Sequence, residues 1–251
     1  MIQNSFLLAT IFYLLGFCAS IAKKKHLTGI LLLSGLVTNA CSITMRYFQT
    51  LPMMPLYQAP FFLPFCLGLF AFAMVSRDRA GKTETLFIMA ILSCIAALFP
   101  KDHYLPFLQF KTVLAHLFFI FGIIGRTFFL LSGILAYLVI RQRKSPFTYG
   151  VSLKDVRQFV IWGYVLFTMS IFSGAIWSYL GWGTPVVWDD PGIVTAMSTW
   201  LYYSLYLHLH LIAFGNVKNR PYFALFGAVW VTIFNWLPDM GRFMLPMIFI
   251  K

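Results

Sequence analysis

The chain of 251 residues is 60% hydrophobic and 10% charged, with a mean hydropathy of +0.81. Soluble domains carry about a quarter charged residues, so these proportions exclude a soluble globular protein. The net charge of +12 does not point to nucleic acid, because no basic patch is interleaved with aromatics that could stack on bases.

A helix crosses a bilayer core with about 20 apolar residues. Read at that length, the chain holds eight candidate segments, at about 2–22, 27–48, 56–75, 84–99, 113–140, 158–180, 194–214 and 222–238. Runs this continuous are helices, since only helices and closed barrels satisfy the backbone in lipid. The expected fold class is all-α: a polytopic membrane protein of about eight transmembrane helices. No linker rich in Ser, Gly or Pro divides the chain and no repeat is visible, so residues 1–251 are read as one transmembrane domain. The first segment has no cation before it and Lys23, Lys24 and Lys25 after it, the reverse of a cleaved signal peptide.

The loops carry the orientation. With the amino terminus outside, the inner loops hold 13 Lys or Arg residues and the outer loops and tail hold five, counting Arg46 among the latter. The positive-inside rule then puts both termini outside. The loop at about 177–193 would also face outward. In a bacterium that is the exterior of the inner (cytoplasmic) membrane, and in a plastid it is the lumen of the thylakoid membrane.

The second and third segments are joined by Arg46-Tyr47-Phe48-Gln49-Thr50-Leu51-Pro52-Met53-Met54-Pro55-Leu56-Tyr57-Gln58, a proline-stiffened amphipathic turn. The four cysteines, Cys18, Cys41, Cys66 and Cys94, form neither a CxxC pair nor a CxxCH. That excludes a thioredoxin-type centre, a zinc ribbon and covalent haem on this chain itself. His103 lies in the loop after the fourth segment and His116 near the start of the fifth. Arg126 is about 13 residues into the fifth segment. A charge there must meet carbonyls, water or a ligand anion, because no carboxylate lies deep in any candidate helix. His208 is about 13 residues into the seventh segment, roughly 20 Å along it. A polar ring at that depth is a functional candidate by default.

Between the sixth and seventh segments runs Gly181-Trp182-Gly183-Thr184-Pro185-Val186-Val187-Trp188-Asp189-Asp190-Pro191, with no Lys or Arg. Trp prefers the membrane boundary, where its ring is buried and its N–H stays wet. Two indoles beside two carboxylates make either an interfacial belt or a shelf for a flat ligand. Adjacent carboxylates with no nearby His form a poor metal site.

The spacing Trp182-Gly183-x-x-x-x-Trp188-Asp189, with Gly174-Ala175-Ile176-Trp177 before it and Trp200 and Tyr206-Leu207-His208 after it, resembles the WGxxWxWD signature of the cytochrome c assembly family of haem-handling membrane proteins. Pro52, Leu56 and Tyr57 resemble the CcsA type rather than the shorter CcmC type. The likeness extends to Leu108-Gln109 before His116 and to Ser152-Leu153 opening the sixth segment. It implies a platform for haem b, carried as cargo, built from Trp177, Trp182, Gly183, Trp188 and Asp189. It implies iron ligation by His116 at the outer site and by His208 at a second, intramembrane site. Arg126 suits a haem propionate, because its guanidinium forks onto carboxylates. The resemblance further implies haem delivery or attachment to apocytochrome c, with a CcsB-like membrane partner and a thiol-reducing system. Its part in a haem lyase would be ligation and orientation rather than acid–base catalysis.

The departures are specific. Pro185 and Val186 stand where the family has aromatics, Asp189-Asp190-Pro191 is one residue longer than Trp-Asp-Pro usually allows, and Phe249 stands where the tail has a ligand His. Three readings follow: His103 substitutes, the outer iron has one protein ligand, or this member is a HemX-like regulator or assembly factor without lyase activity. A small-molecule transporter is the alternative from another class, against which stands the absence of paired inverted repeats.

The charge asymmetry generates the first test. A cysteine placed at Gly183 is expected to react with a membrane-impermeant thiol reagent in intact cells. Protection in intact cells with labelling after lysis would reverse the orientation.

Overall fold

The computed structural model describes residues 2–50, 59–98, 113–144, 150–186, 191–211 and 218–236. Among them the chain is entirely helical: α1 Ile2–Ile21, α2 Lys25–Thr50, α3 Ala59–Ser76, α4 Lys82–Leu98, α5 Val113–Lys144, α6 Leu153–Trp182, α7 Pro191–Leu207 and α8 Arg220–Trp236, with a 3₁₀ turn at Leu209–Leu211. All eight expected segments correspond to helices. Four stretches, Ile2–Ile21, Lys25–Phe48, Val113–Arg143 and Leu153–Gly181, are long and apolar enough to cross a membrane.

Several boundaries shift by a few residues from the hydropathy reading, and two shift most. α6 begins at Leu153 rather than near 158, because Ser152 caps it. The Ser152 side chain accepts from the Asp155 amide while Asp155 accepts from the Ser152 amide, the reciprocal arrangement that satisfies two orphan donors. α7 stops at Leu207 rather than near 214. There the His208 ring takes up the Ser204 carbonyl, and the Leu211 amide closes a 3₁₀ turn on the His208 carbonyl.

The helices form two compact units, α1–α4 and α5–α8. In the first, α1 packs on α2 and α4, and α3 on α2 and α4. Its core is Phe6, Tyr13, Leu32, Leu63, Leu67, Met89 and Leu92, each almost fully buried. Asn39 stitches three helices by donating to Tyr13 Oη and to the Phe61 carbonyl, both at 3.2 Å. Arg46, counted above as an outer-loop cation, lies inside α2 and is buried, with its guanidinium carbon 4.0 Å from the Phe61 ring centroid. An arginine there exchanges water for an aromatic face. In the turn between α3 and α4, Lys82 donates to Asp78 and holds that carboxyl below its ordinary range.

In the second unit α5 is central, packed against α6 and α8, and α7 lies on α6 and α8. In lipid no hydrophobic drive brings helices together, so close packing of small residues must. α5 and α6 meet backbone to backbone at Gly125 and Gly163. A Cβ on either glycine would sit 3.1 Å from the other's carbonyl oxygen. α5 meets α8 at Gly133, where a Cβ would fall 2.2 Å from Ala228 Cβ. These crossings hold Phe129 stacked on Tyr203 of α7, centroids 3.5 Å apart at 5°.

The Gly133 contact leaves no room to relax. Gly133→Ala is expected to destabilise the folded protein by about 1–3 kcal/mol, read as a lower thermal midpoint in detergent. Gly181→Ala, where nothing lies within 4 Å, is the control. An unchanged midpoint for Gly133→Ala would show that the α5–α8 contact is looser than 2.2 Å implies.

Candidate functional site

The α6 terminus is built to turn. Gly183 caps it at φ 73°, donating its amide to the Tyr179 carbonyl at 2.9 Å. A left-handed C-cap is where glycine avoids a Cβ penalty. The following residues fold back: Ser178 Oγ donates to the Thr184 carbonyl at 2.8 Å, and Thr184 Oγ1 donates to the Val186 carbonyl at 3.0 Å. α7 resumes at Pro191, where a proline costs no helical hydrogen bond. Gly183 therefore needs its residue type for the turn itself.

Trp177 sits six residues before that cap, 7% exposed, its ring stacked on Phe118 of α5 with centroids 6.2 Å apart. Gly174 admits the Phe118 ring, since a Cβ there would lie 2.6 Å from it. Ser170 Oγ donates to the Phe118 carbonyl at 2.5 Å. Trp177 is thus fixed against α5, with its ring largely covered. Phe118 and Ser170 carry this arrangement and are not among the residues the sequence pointed to. The Gly174–Trp177 spacing was the one available signal, because it marks a close approach three residues from a large ring.

His116 is exposed in the first turns of α5, two residues before Phe118. The Phe118–Trp177 contact therefore brings His116 to the same end of the unit as Gly183. His208 stands at the other end. Its ring is exposed, and Nδ1 lies 2.8 Å from the Ser204 carbonyl oxygen. A carbonyl only accepts, so Nδ1 bears the proton of the neutral ring and the lone pair falls on Nε2. Ligating histidines are commonly oriented in this way by a carbonyl behind them.

The two imidazoles are far apart. His116 precedes Phe129 by 13 residues, and His208 follows Tyr203, which is level with Phe129, by five. At 1.5 Å per residue this is about 27 Å along parallel helices. Arg126 lies between them, half-buried, its guanidinium carbon 5.6 Å from the Phe167 ring centroid. The structure brings Trp177, Gly183 and His116 to one end and sets His208 at the other. The Trp182 side chain, Trp188, Asp189, Asp190 and His103 lie outside the described residues, as does Phe249. Among the described residues no group of three or more His, Cys, Asp or Glu side chains could hold a metal ion by itself.

Helical hairpins joined by small-residue crossings, with four stretches able to span a bilayer, define a helical membrane-protein architecture. The model of the family described as cytochrome C assembly protein matches residues 1–240, and the chain belongs to that family. The cytochrome c biogenesis protein CcsA of Prochlorococcus marinus (strain MIT 9312) is 42% identical over 62 residues, 25% of this chain and 19% of that protein. CcsA of Thermosynechococcus vestitus is 38% identical over 71 residues, 28% of this chain and 22% of that protein. The chain thus matches about a fifth of the length of these relatives. The solved structure of the cytochrome c heme lyase CcmF superposes with a TM-score of 0.69 over 94% of this chain and 46% of that one, at 13% identity. This likeness concerns the fold.

The capped turn gives a local test. Gly183→Val puts a branched side chain at φ 73°, which costs about 1–2 kcal/mol. Amide exchange in peptides covering 177–186 should accelerate about ten-fold, while α8 peptides keep their rates. Unchanged exchange at 177–186 would remove the left-handed cap from the account.

Proposed function

We propose that this protein is an eight-span membrane protein that binds haem and passes it on during cytochrome c biogenesis. Both termini and the Trp-rich loop face outward in this reading, and a bacterial inner membrane is the setting. The cargo is haem b. The observation that carries the proposal is the pair of exposed imidazoles at opposite ends of one helical unit, in a chain of the cytochrome c assembly family. Axial nitrogens across one iron lie only about 4 Å apart, at metal–nitrogen distances near 2 Å. Two rings about 27 Å apart therefore serve two stations.

At the outer station His116 is the axial ligand. Trp182, Trp188 and Asp189 form the platform, Gly183 shapes its turn, and Trp177 braces it from below. At the inner station His208 ligates through Nε2, with the Ser204 carbonyl fixing the ring. Arg126, between the two levels, pairs with a propionate. His103 is the candidate for a second outer ligand. Bound haem supplies a redox-active iron and two vinyl groups. The residues named here hold it, orient it and limit its exposure to water. Attachment to apocytochrome c would draw on a CcsB-like membrane partner and a thiol-reducing system.

A second reading is a HemX-like regulator or assembly factor without lyase activity. It is favoured by Pro185 and Val186, which continue the turn after Gly183 at positions where the family carries aromatics.

Protein purified in mild detergent from a haem-replete host should show a Soret band. His116→Ala should alter the spectrum of an outer haem that His208→Ala leaves unchanged, because losing an axial imidazole changes the iron's spectrum and potential. His208→Ala should lower total haem content. His103→Ala should reproduce the His116 effect if His103 is the second outer ligand. Absence of Soret absorbance from folded protein would refute the haem reading. Identical spectra for His116→Ala and His208→Ala at equal haem content would refute the two stations.

A further inference from the structure

Two turns of the first unit lie side by side. Ser20 Oγ, in the last turn of α1, is 3.1 Å from Thr83 Oγ1, in the first turn of α4. The Lys23 amide donates back to the Ser20 carbonyl at 3.0 Å, so the α1–α2 turn closes on that same residue. The α3–α4 turn closes just before Thr83, with the Arg79 amide on the Met74 carbonyl at 2.9 Å and Lys82 donating to Asp78. Lys23 and Asp78 take left-handed φ values of 57° and 51°, so each turn is tight. The Lys23 backbone thus lies within about 10 Å of Thr83, and the two turns are within side-chain reach of one another.

These turns carry Lys23, Lys24, Lys25, Arg77, Arg79 and Lys82 against two acids, Asp78 and Glu84. Lys82 takes Asp78, on which Lys25 also acts, and Glu84 has contacts of its own. Lys23, Lys24, Arg77 and Arg79 are exposed, and among the described residues none of their side chains has a hydrogen-bond or ion-pair partner. Like charges gathered in this way repel, and an anion between them relieves the repulsion. The hydroxyl pair adds a directed donor. Ser20 and Thr83 hold two hydroxyl hydrogens and share one bond, so whichever donates, the other's hydrogen is left for an outside acceptor.

One helical turn further along, the seam between α1 and α4 becomes apolar. Phe17 of α1 meets Phe87 of α4 with ring centroids 5.4 Å apart. Leu14, Phe87 and Ile91 are 39%, 47% and 39% exposed. Leu14 and Phe17 are three residues apart and Phe87 and Ile91 four, so each pair shares a helix face. From Thr83 to Ile91 the strip runs about 12 Å. A cationic foot with a hydroxyl donor, continued by an apolar seam, fits a ligand with an anionic head and a hydrocarbon tail. Basic sites between membrane helices take lipid headgroups on this chemistry.

We propose that Lys23 and Arg79, with the Ser20–Thr83 hydroxyl pair, bind the phosphodiester headgroup of an anionic phospholipid, whose acyl chain lies along the α1–α4 seam at Phe17, Phe87 and Ile91. This goes beyond the haem reading and stands without it.

The full chain, delipidated in mild detergent, is titrated with phosphatidylglycerol or phosphatidylcholine, and bound lipid is counted by native mass spectrometry. The native protein should retain phosphatidylglycerol over phosphatidylcholine, whose choline cation meets the basic turns, and excess inorganic phosphate should not displace it. Each cation near a membrane surface is worth about 1 kcal/mol, or about five-fold in affinity. Lys23→Gln and Arg79→Gln should therefore each weaken binding about five-fold. Ser20→Ala with Thr83→Val, which alters no charge, should also weaken it about five-fold, the worth of one hydrogen bond. Lys154→Gln with Lys218→Gln, which removes charge from the second unit, should leave binding unchanged. Helical content by circular dichroism establishes folding, and the two charge variants decide the matter if the hydroxyl variant does not fold. Equal loss in the Lys154/Lys218 variant would reduce the effect to net charge, and full binding by a folded hydroxyl variant would remove the donor. Displacement by inorganic phosphate would assign the site to a soluble anion, and equal retention of both lipids would remove the site. Any of these four results overturns the proposal.

Discussion

The contact on which the second unit depends is the approach of α5 to its neighbours at bare backbone. Gly125 and Gly163 let α5 and α6 meet at their carbonyls, and Gly133 lets α5 touch Ala228 of α8. Lipid tails are as apolar as leucine, so the association must come from packing rather than from escape from water. Once those crossings are fixed, larger rings have determined places. Phe118 enters the space beside Gly174 and meets Trp177, while Phe129 lies flat on Tyr203. The levels of His116 and His208 then follow from helix geometry alone.

Many polar groups in both units find a partner. A polar atom within an apolar helix must find a partner or face a polar space. Several hydroxyls bond back to their own helix, as Thr10 does to Phe6 and Thr127 to Ile123. Asn39 instead reaches across helices, and Trp200 Nε1 donates to Thr168 Oγ1 at 2.9 Å. Arg46 and Arg126 each lie against an aromatic face, the first closely and the second at 5.6 Å from Phe167. The two arginines nevertheless differ in setting. Arg46 is buried and packed, whereas Arg126 is half-buried.

The ends of the second unit are chemically unlike. One carries His116, the turn at Gly183 and a covered Trp177, with no Lys or Arg among the described residues there. The other carries Arg141, Arg143, Lys154, Arg157, Lys218 and Arg220 at the end of α5 and the starts of α6 and α8. Such polarity suits a protein that meets different molecules on its two faces.

Most of the helical plan was legible in the chain, because apolar runs of spanning length have few alternatives in lipid. The ends were less so. The capping box at Ser152 extends α6 through a charged turn that hydropathy does not register, and α7 gives way early to the 3₁₀ turn at Leu209–Leu211. The Trp-rich spacing and the histidines identified the family and named the candidate residues. Helix direction already set His116 level with the Trp-rich loop and His208 deeper; what sequence could not decide was which rings meet between helices, as Phe118 meets Trp177 and Phe129 meets Tyr203. Spacing along a chain gives position on one helix only. The register between helices is set by where glycines let backbones touch, and that depends on matched surfaces distant in sequence. Arg46 shows the same limit: its charge assigned it to a loop, and only tertiary packing, with the Phe61 ring above its guanidinium, placed it in the interior.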